Sequence, residues 1–443
     1  MQKLFLCSLL ISFSLALTSC SKDDDEIPVL ISAEFTADQL AVEEGSNIDF
    51  TDLSTGGPIS WSWTFEGGDP ANSTEQNPRV SFAVAGRYEV SLTVSNGNAE
   101  DTETKASYIT VTEKAAPFQE LYDQGIDRYL GVFTPTSSAL VSPGLTEHSF
   151  SGTDAPICFT GNQFSMFTRD GSANSLLIFL QGGGFCSPVS CDAVETGIPL
   201  IPFGILNPND AQSTVSDYNL GYVPYCDGSG MMGDTEVDSD GDGENDRFFK
   251  GIQNLSASLD VILQTYPSPN KIVLAGNSAG GFAVHAALPL VRKLYPDVKI
   301  FVINDAGVGI SSPGVLPALF DYWNANVFLP ASCDNCIGTD GNLTDYHKYQ
   351  LAQDGNFSLA YTSSKQDSTI SALMGGMAHE LELIEAVTEL NTAYPARFQG
   401  LIGNGAYHTT LLRDFQRSIG STTVSQWVTN MINESENWTT VIE

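Results

Sequence analysis

VLAGNSAGGFAVHAAL, residues 273–288, carries an apolar strand into Gly276-Asn277-Ser278-Ala279-Gly280 and leaves as an alanine-rich helix. A serine with glycine two residues to either side has the spacing of a nucleophile elbow. On a sharp strand-to-helix turn the serine is forced toward a strained backbone, only small neighbours fit beside it, and Oγ stands exposed above the sheet. The N–H of Ala279 then lies in the first helical turn, where unpaired donors and the helix dipole favour a developing negative charge. The competing reading is a glycine-rich turn with an incidental serine; the strand before and the helix after favour the elbow.

Upstream, the apolar strand SLLIFL, residues 175–180, runs directly into Gln181-Gly182-Gly183-Gly184-Phe185-Cys186. A strand with no polar face suggests a sheet covered on both sides, as in α/β proteins. Its glycine-rich exit lets the backbone approach a ligand. In α/β-hydrolases a second oxyanion donor comes from such a loop, which assigns the N–H groups of Gly183 and Gly184 to that role beside Ala279. A phosphate-cradling loop is disfavoured, because no Lys-Ser or Lys-Thr follows.

The chain has five histidines, and in this fold the base follows the nucleophile and the acid. His148 precedes the core, His285 lies two turns along the elbow helix, His347 falls in a polar segment, and His379 belongs to a helix expected over 370–390. His408 follows the strand FQGLIG, residues 398–403, within GAYHTT, which is where a catalytic histidine loop belongs. Two carboxylates compete as the acid. Asp305 ends the strand after the elbow helix, and Asp367 follows the next strand. The acid must hold the imidazole tautomer away from bulk water. Asp367 is favoured, with Asp305 read as a structural carboxylate bracing loops under the site.

Composition bounds the partners. With 53 Asp and Glu against 19 Lys and Arg, the formal net charge is −34. Such a surface repels phosphate backbones, so no nucleic-acid partner is expected. At 443 residues and 42% hydrophobic content the chain can fill more than one core.

Residues 1–19 read as a signal peptide, with a lysine near the start and an apolar run too short to span a bilayer. Leu17-Thr18-Ser19-Cys20 resembles a bacterial lipobox, which makes Cys20 the expected lipid attachment site. Residues 20–30 form an acidic tether resembling a surface-export signal, so the expected location is the outer membrane, exposed at the cell surface. Residues 31–113 alternate with period two in WSWTF, YEVSLTV and YITV, the pattern of a small all-β sandwich. The order of WSWTFEGGDP, Gln76-Asn77-Pro78 and GRYEVSLTVSN resembles a PKD domain, a type of module that serves as a spacer or a weak glycan or protein binder; spacer is the default. After a short linker, residues 118–443 hold the elbow.

That second region contains Cys158, Cys186, Cys191, Cys226, Cys333 and Cys336. An even count in an exported domain reads as disulfides. Zinc on Cys333 and Cys336 is disfavoured, since a lone C-x2-C lacks a partner pair. Asp238, Asp240 and Asp242 form a D-x-D-x-D-G run, the alternation a hard cation such as Ca2+ prefers, and Asp246 follows in the same acidic insertion as a further candidate ligand. The twelfth position is Phe249, so this is no complete EF-hand loop. Structural Ca2+ and a solvated acidic hairpin tip are both open readings, and a serine nucleophile requires no cofactor.

Eight blocks in order resemble the pectin acetylesterases and the related Notum carboxylesterases: LQGGGFC, VPYCDGSGMMGD, Phe249-Lys250-Gly251, LAGNSAGG, NDAG, FLPASCDNC, the Asp367 block and GAYH. The likeness covers roughly residues 121–410. It implies an α/β-hydrolase with a mostly parallel sheet, a triad on Ser278, Asp367 and His408, and an oxyanion hole on Gly183, Gly184 and Ala279. It also implies disulfides Cys158–Cys226, Cys186–Cys191 and Cys333–Cys336. The expected activity is removal of acetyl groups from a polysaccharide such as pectin. The alternatives are a Notum-like esterase for longer acyl chains and an adhesin on an inactive scaffold. Phe185 stands where plant members have tryptophan, and Val308-Gly309 replaces an aromatic pair. The resemblance therefore carries the chemistry further than the substrate.

Overall fold

A computed structural model describes residues 30–373 and 379–443. The expected leader, Cys20 and nearly all of the acidic tether lie outside the described residues. The chain divides into two compact units, Met1–Ala115 and Ala116–Glu443.

The first unit pairs a four-stranded sheet with a five-stranded one. Alternation fixes which side chains enter: Ile48 and Phe50 on Asn47–Asp52, and Trp63 and Phe65 on Ser60–Phe65, are buried while their neighbours are not. Phe35, Phe50 and Trp63 pack edge-on or tilted at 5.2–5.9 Å. The Trp63 indole N–H reaches the Glu75 carbonyl at 2.9 Å, so the largest core side chain leaves no buried donor unpaired.

The second unit is built on a ten-stranded mixed sheet. Its strands are β1 Ser137–Ser142, β2 Leu145–Ser149, β3 Ser165–Arg169, β4 Leu176–Leu180, β5 Asn219–Val223, β6 Lys271–Asn277, β7 Lys299–Asp305, β8 Phe357–Ser364, β9 Phe398–Gly403 and β10 Val441–Ile442. Their spatial order is β1-β2-β3-β5-β4-β6-β7-β8-β9-β10. Pairing is antiparallel from β1 to β5 and parallel from β5 to β10. Both faces are covered. Leu176, Ile178 and Leu180 enter one core with helices α1 Gly251–Thr265 and α2 Ala279–Leu294, while Leu177 and Phe179 enter another with a helix at Val424–Ile432. That division is why β4 is apolar at every position.

Helix α2 is buried along nearly its whole length, and its far end is fixed by a buried cation. Arg292 donates Nε to Asp354 at 2.8 Å and its remaining N–H groups to four backbone carbonyls, those of Tyr295, Pro296, Val298 and Asn356. Both partners are almost fully buried. Removing one of them strands a charge in the core. Arg292→Ala is therefore expected to lower the unfolding free energy by about 3–5 kcal/mol, read from denaturant midpoints at neutral pH.

Candidate active site

Strand β6 ends at Asn277 and α2 begins at Ala279; Ser278, the residue between them, adopts φ 55° and ψ −124°. That is a strained backbone for a residue with a Cβ, and its surroundings hold it in place. A Cβ on Gly276 would lie 2.1 Å from the Gly280 carbonyl oxygen, and one on Gly280 would lie 2.0 Å from that of Leu180. Both glycines of G-x-S-x-G are thus required by close backbone contact. The Ser278 N–H donates to the Asp305 carbonyl at 2.7 Å, tying the elbow to the end of β7.

The glycine loop after β4 lies against the elbow. Gly182 N–H donates to Asn277 Oδ1 at 3.3 Å. The N–H groups of Gly183, Gly184 and Ala279 make no hydrogen bond among the described residues, which leaves three backbone donors unspent near Ser278. Gly184 adopts φ 83°, where a side chain would run into the Asp192 carbonyl.

His408 follows β9 on a loop stitched to the end of β8. Ser364 Oγ donates to the Tyr407 carbonyl at 2.6 Å, and Gly405 N–H to Gln366 Oε1 at 2.9 Å. His408 Nδ1 meets Asp367 Oδ2 at 2.8 Å. Asp367 is fully buried, and its Oδ1 accepts the N–H groups of Thr369 and Ile370 at the start of a short helix, Ser368–Leu373. A carboxylate at Nδ1 selects the tautomer with its proton there and leaves Nε2 as the basic atom. Among the described residues no hydrogen bond joins Ser278 Oγ to His408; such contacts commonly tighten only when substrate binds.

Asp305 is buried and does not touch His408. Its carboxylate accepts the N–H groups of Thr410 and Leu411, each at 2.8 Å, and the hydroxyl of Thr362 at 2.8 Å. Burial pushes its carboxyl above the ordinary range, against those hydrogen bonds, which favour the charged form. An asparagine here would turn an amide donor toward Thr410 or Leu411. In Asp305→Asn, exchange of those two amides is expected to accelerate by at least about tenfold, measured by hydrogen-exchange mass spectrometry.

The other histidines lie elsewhere. His148, on β2, bonds Ser138 and Thr168 hydroxyls. The polar segment that holds His347 is a helix, Thr344–Gln353, whose inner face is Tyr346, His347, Gln350 and Leu351 at helical spacing. The helix expected over 370–390 consists of Ser368–Leu373 and His379–Ala393, with residues 374–378 outside the described residues. His347 stacks on His285 at 3.8 Å. Gln350 donates Nε2 to the His285 carbonyl and turns Oε1 to its Nδ1 at 2.8 Å, so Nδ1 carries the proton. His285 Nε2 then accepts from Asn304 Nδ2 at 3.0 Å, while Asn304 closes the turn to Gly307 through both its amide atoms. This support under the elbow has only one sequence signal, a histidine on a buried helix, and was not foreseen.

Burial drives His285 from its ordinary 6.5 to about 4 and pushes His347 the same way. A proton that the unfolded chain accepts below 6.5 is refused by the fold until about 4, so this contribution to stability is intact above 6.5 and is lost as pH falls toward 4. Burial raises Asp227 to about 6, which works in the opposite sense, so the comparison is between variants. The difference in stability between the parent and His285→Gln is expected to shrink across that window, by up to about 1.4 kcal/mol per pH unit, in urea titrations at pH 7 and pH 5.

Cysteines pair as Cys158–Cys226, Cys186–Cys191 and Cys333–Cys336. Cys333 and Cys336 are therefore not thiolate ligands. In the acidic loop, oxygens of Asp238, Asp240 and Asp242 come within 4.8 Å of one another. Asp246 does not join them; its carboxylate accepts the N–H and the hydroxyl of Ser239.

Residues 32–107 match the family model of the PKD domain, and residues 200–320 match that of the pectinacetylesterases. The second match includes Ser278 and indicates a carboxylic ester hydrolase of the acetylesterase type. No curated protein matches the chain.

Proposed function

We propose that this protein is a serine carboxylesterase of the α/β-hydrolase fold that removes acetyl groups from a polysaccharide, the class to which pectin belongs. The observation that carries the reading is the buried Asp367 on His408 Nδ1, on the loops that leave β8 and β9, in the same parallel sheet whose strand β6 leads into the strained Ser278 elbow. Ser278 Oγ attacks the ester carbonyl as His408 Nε2 takes its proton. The tetrahedral oxyanion is held by the N–H groups of Gly183, Gly184 and Ala279, and Asp367 stabilises the imidazolium. His408 then protonates the departing sugar oxygen, leaving an acetyl group on Ser278. Water, deprotonated by the same imidazole, releases acetate.

Removing one oxyanion donor in other acyl-transfer enzymes costs about a hundredfold to a thousandfold in rate, so three free donors supply a large part of the expected acceleration. The test is acetate release from acetylated polysaccharides and from a nitrophenyl acetate. Ser278→Ala is expected to abolish release and labelling by a fluorophosphonate, and Asp367→Asn to lower kcat by roughly ten-thousandfold. Labelling of the parent at another serine, or turnover that survives Ser278→Ala, would refute the assignment. Hydrolysis confined to long-acyl esters would replace the acetyl substrate and keep the mechanism.

A further inference from the structure

Resting on the esterase reading above, we infer that the chain bearing the ester is a neutral, hydroxyl-rich glycan lying across two adjoining cavities beside Ser278, and not a polyuronate. The first cavity, of about 750 Å3, has Gly182, Asn277 and Thr409 in its wall. Each is the direct chain neighbour of Gly183, Ser278 or His408. The cavity therefore adjoins the glycine loop, the elbow and the histidine loop together. Ile201 and Phe203 also line it, and they are exposed at 48% and 64%. The apolar C–H faces of pyranose rings pack on side chains of this kind.

Gln416 lines this cavity and also a second one, of about 700 Å3. The second is walled by hydroxyl and amide side chains and Ala211, with no charged residue among those described. The side chains of Gln212, Thr214 and Ser421 make no hydrogen bond among the described residues, and Gln426 uses only its Nε2. Spare amides and hydroxyls offer both donors and acceptors, which is what sugar hydroxyls require. They offer no counter-charge to a carboxylate.

The first cavity carries no net positive charge: its wall holds one cation, Arg413, beside two carboxylates, Asp210 and Asp414, the second of which pairs with Arg417. The whole chain stands at −34. A polyanion approaching this site is repelled over about 8 Å at physiological ionic strength, and a uronate bound in the second cavity would be desolvated without compensation. A neutral chain bears neither cost.

The test compares kcat/KM for acetylated xylan, acetylated glucomannan and acetylated polygalacturonate at equal ester concentration, with a nitrophenyl acetate as the small substrate. The neutral glycans are expected to exceed the polyuronate by about tenfold or more, with the gap narrowing as salt rises. In the Gln212→Ala, Ser421→Ala double variant, KM for the preferred neutral polymer should rise about tenfold, with turnover of the small ester unchanged. Equal or better use of polygalacturonate, or an unchanged polymer KM in the double variant, would overturn the inference and leave the esterase reading intact. A parent inert on the small ester and on every polymer would instead overturn the esterase reading, and the inference with it.

Discussion

One residue joins the halves of the site. Asp305 takes the Ser278 N–H on its backbone carbonyl and the Thr410 and Leu411 N–H groups on its carboxylate. Ser278 and His408 are 130 positions apart in sequence, and each belongs to a segment bonded to this aspartate. The end of β7 is rigid because β6 and β8 pair with it on either side. A carboxylate fully buried at that point accepts from backbone donors that would otherwise be unpaired, so the loop cannot leave without stranding both partners. The strain at Ser278 is tolerable for the same reason: the elbow is bonded below and packed against the glycine loop at its side.

Much of this was legible in the sequence because the physics is local. Gly276 and Gly280 forecast close backbone contact, and the carbonyl oxygens of Gly280 and Leu180 are where that contact is made. An apolar β4 forecast a sheet covered on both faces, and its alternate residues enter two different cores. The competition between Asp305 and Asp367 turned on which carboxylate could reach an imidazole. Asp367 reaches it, and Asp305 holds backbone instead. What escaped the sequence was set by tertiary partners. His347 gave no signal of a partner because the one it stacks on, His285, lies 62 positions earlier. The support from His285 through Asn304 to Gly307 joins three elements whose spacing carries no shared pattern. Within the acidic loop the constraint is local instead: Asp246 follows the alternating aspartates, and its carboxylate accepts from Ser239.

Charge and shape bear on the substrate in different ways. The elbow, the histidine loop and the three free amides would serve any acyl ester. On the proposed reading, selection among glycans would come from outside that group, from a first cavity that is largely apolar and a second that is rich in hydroxyls and amides. On the same reading, the acidic excess of the chain would sharpen the same discrimination at longer range, and chemistry and specificity would rest on separate parts of the unit, the first on strand ends and the second on the segments around residues 198–214 and 409–429.

The central claim is that the acyl group passes through Ser278. Acid quenching during turnover of an acetylated substrate, followed by digestion and mass spectrometry, examines that step itself. The account predicts an acetyl group on the peptide containing Ser278 that disappears as substrate is exhausted. Steady acetate release with that peptide unmodified, or with the acetyl group on another residue, would contradict it.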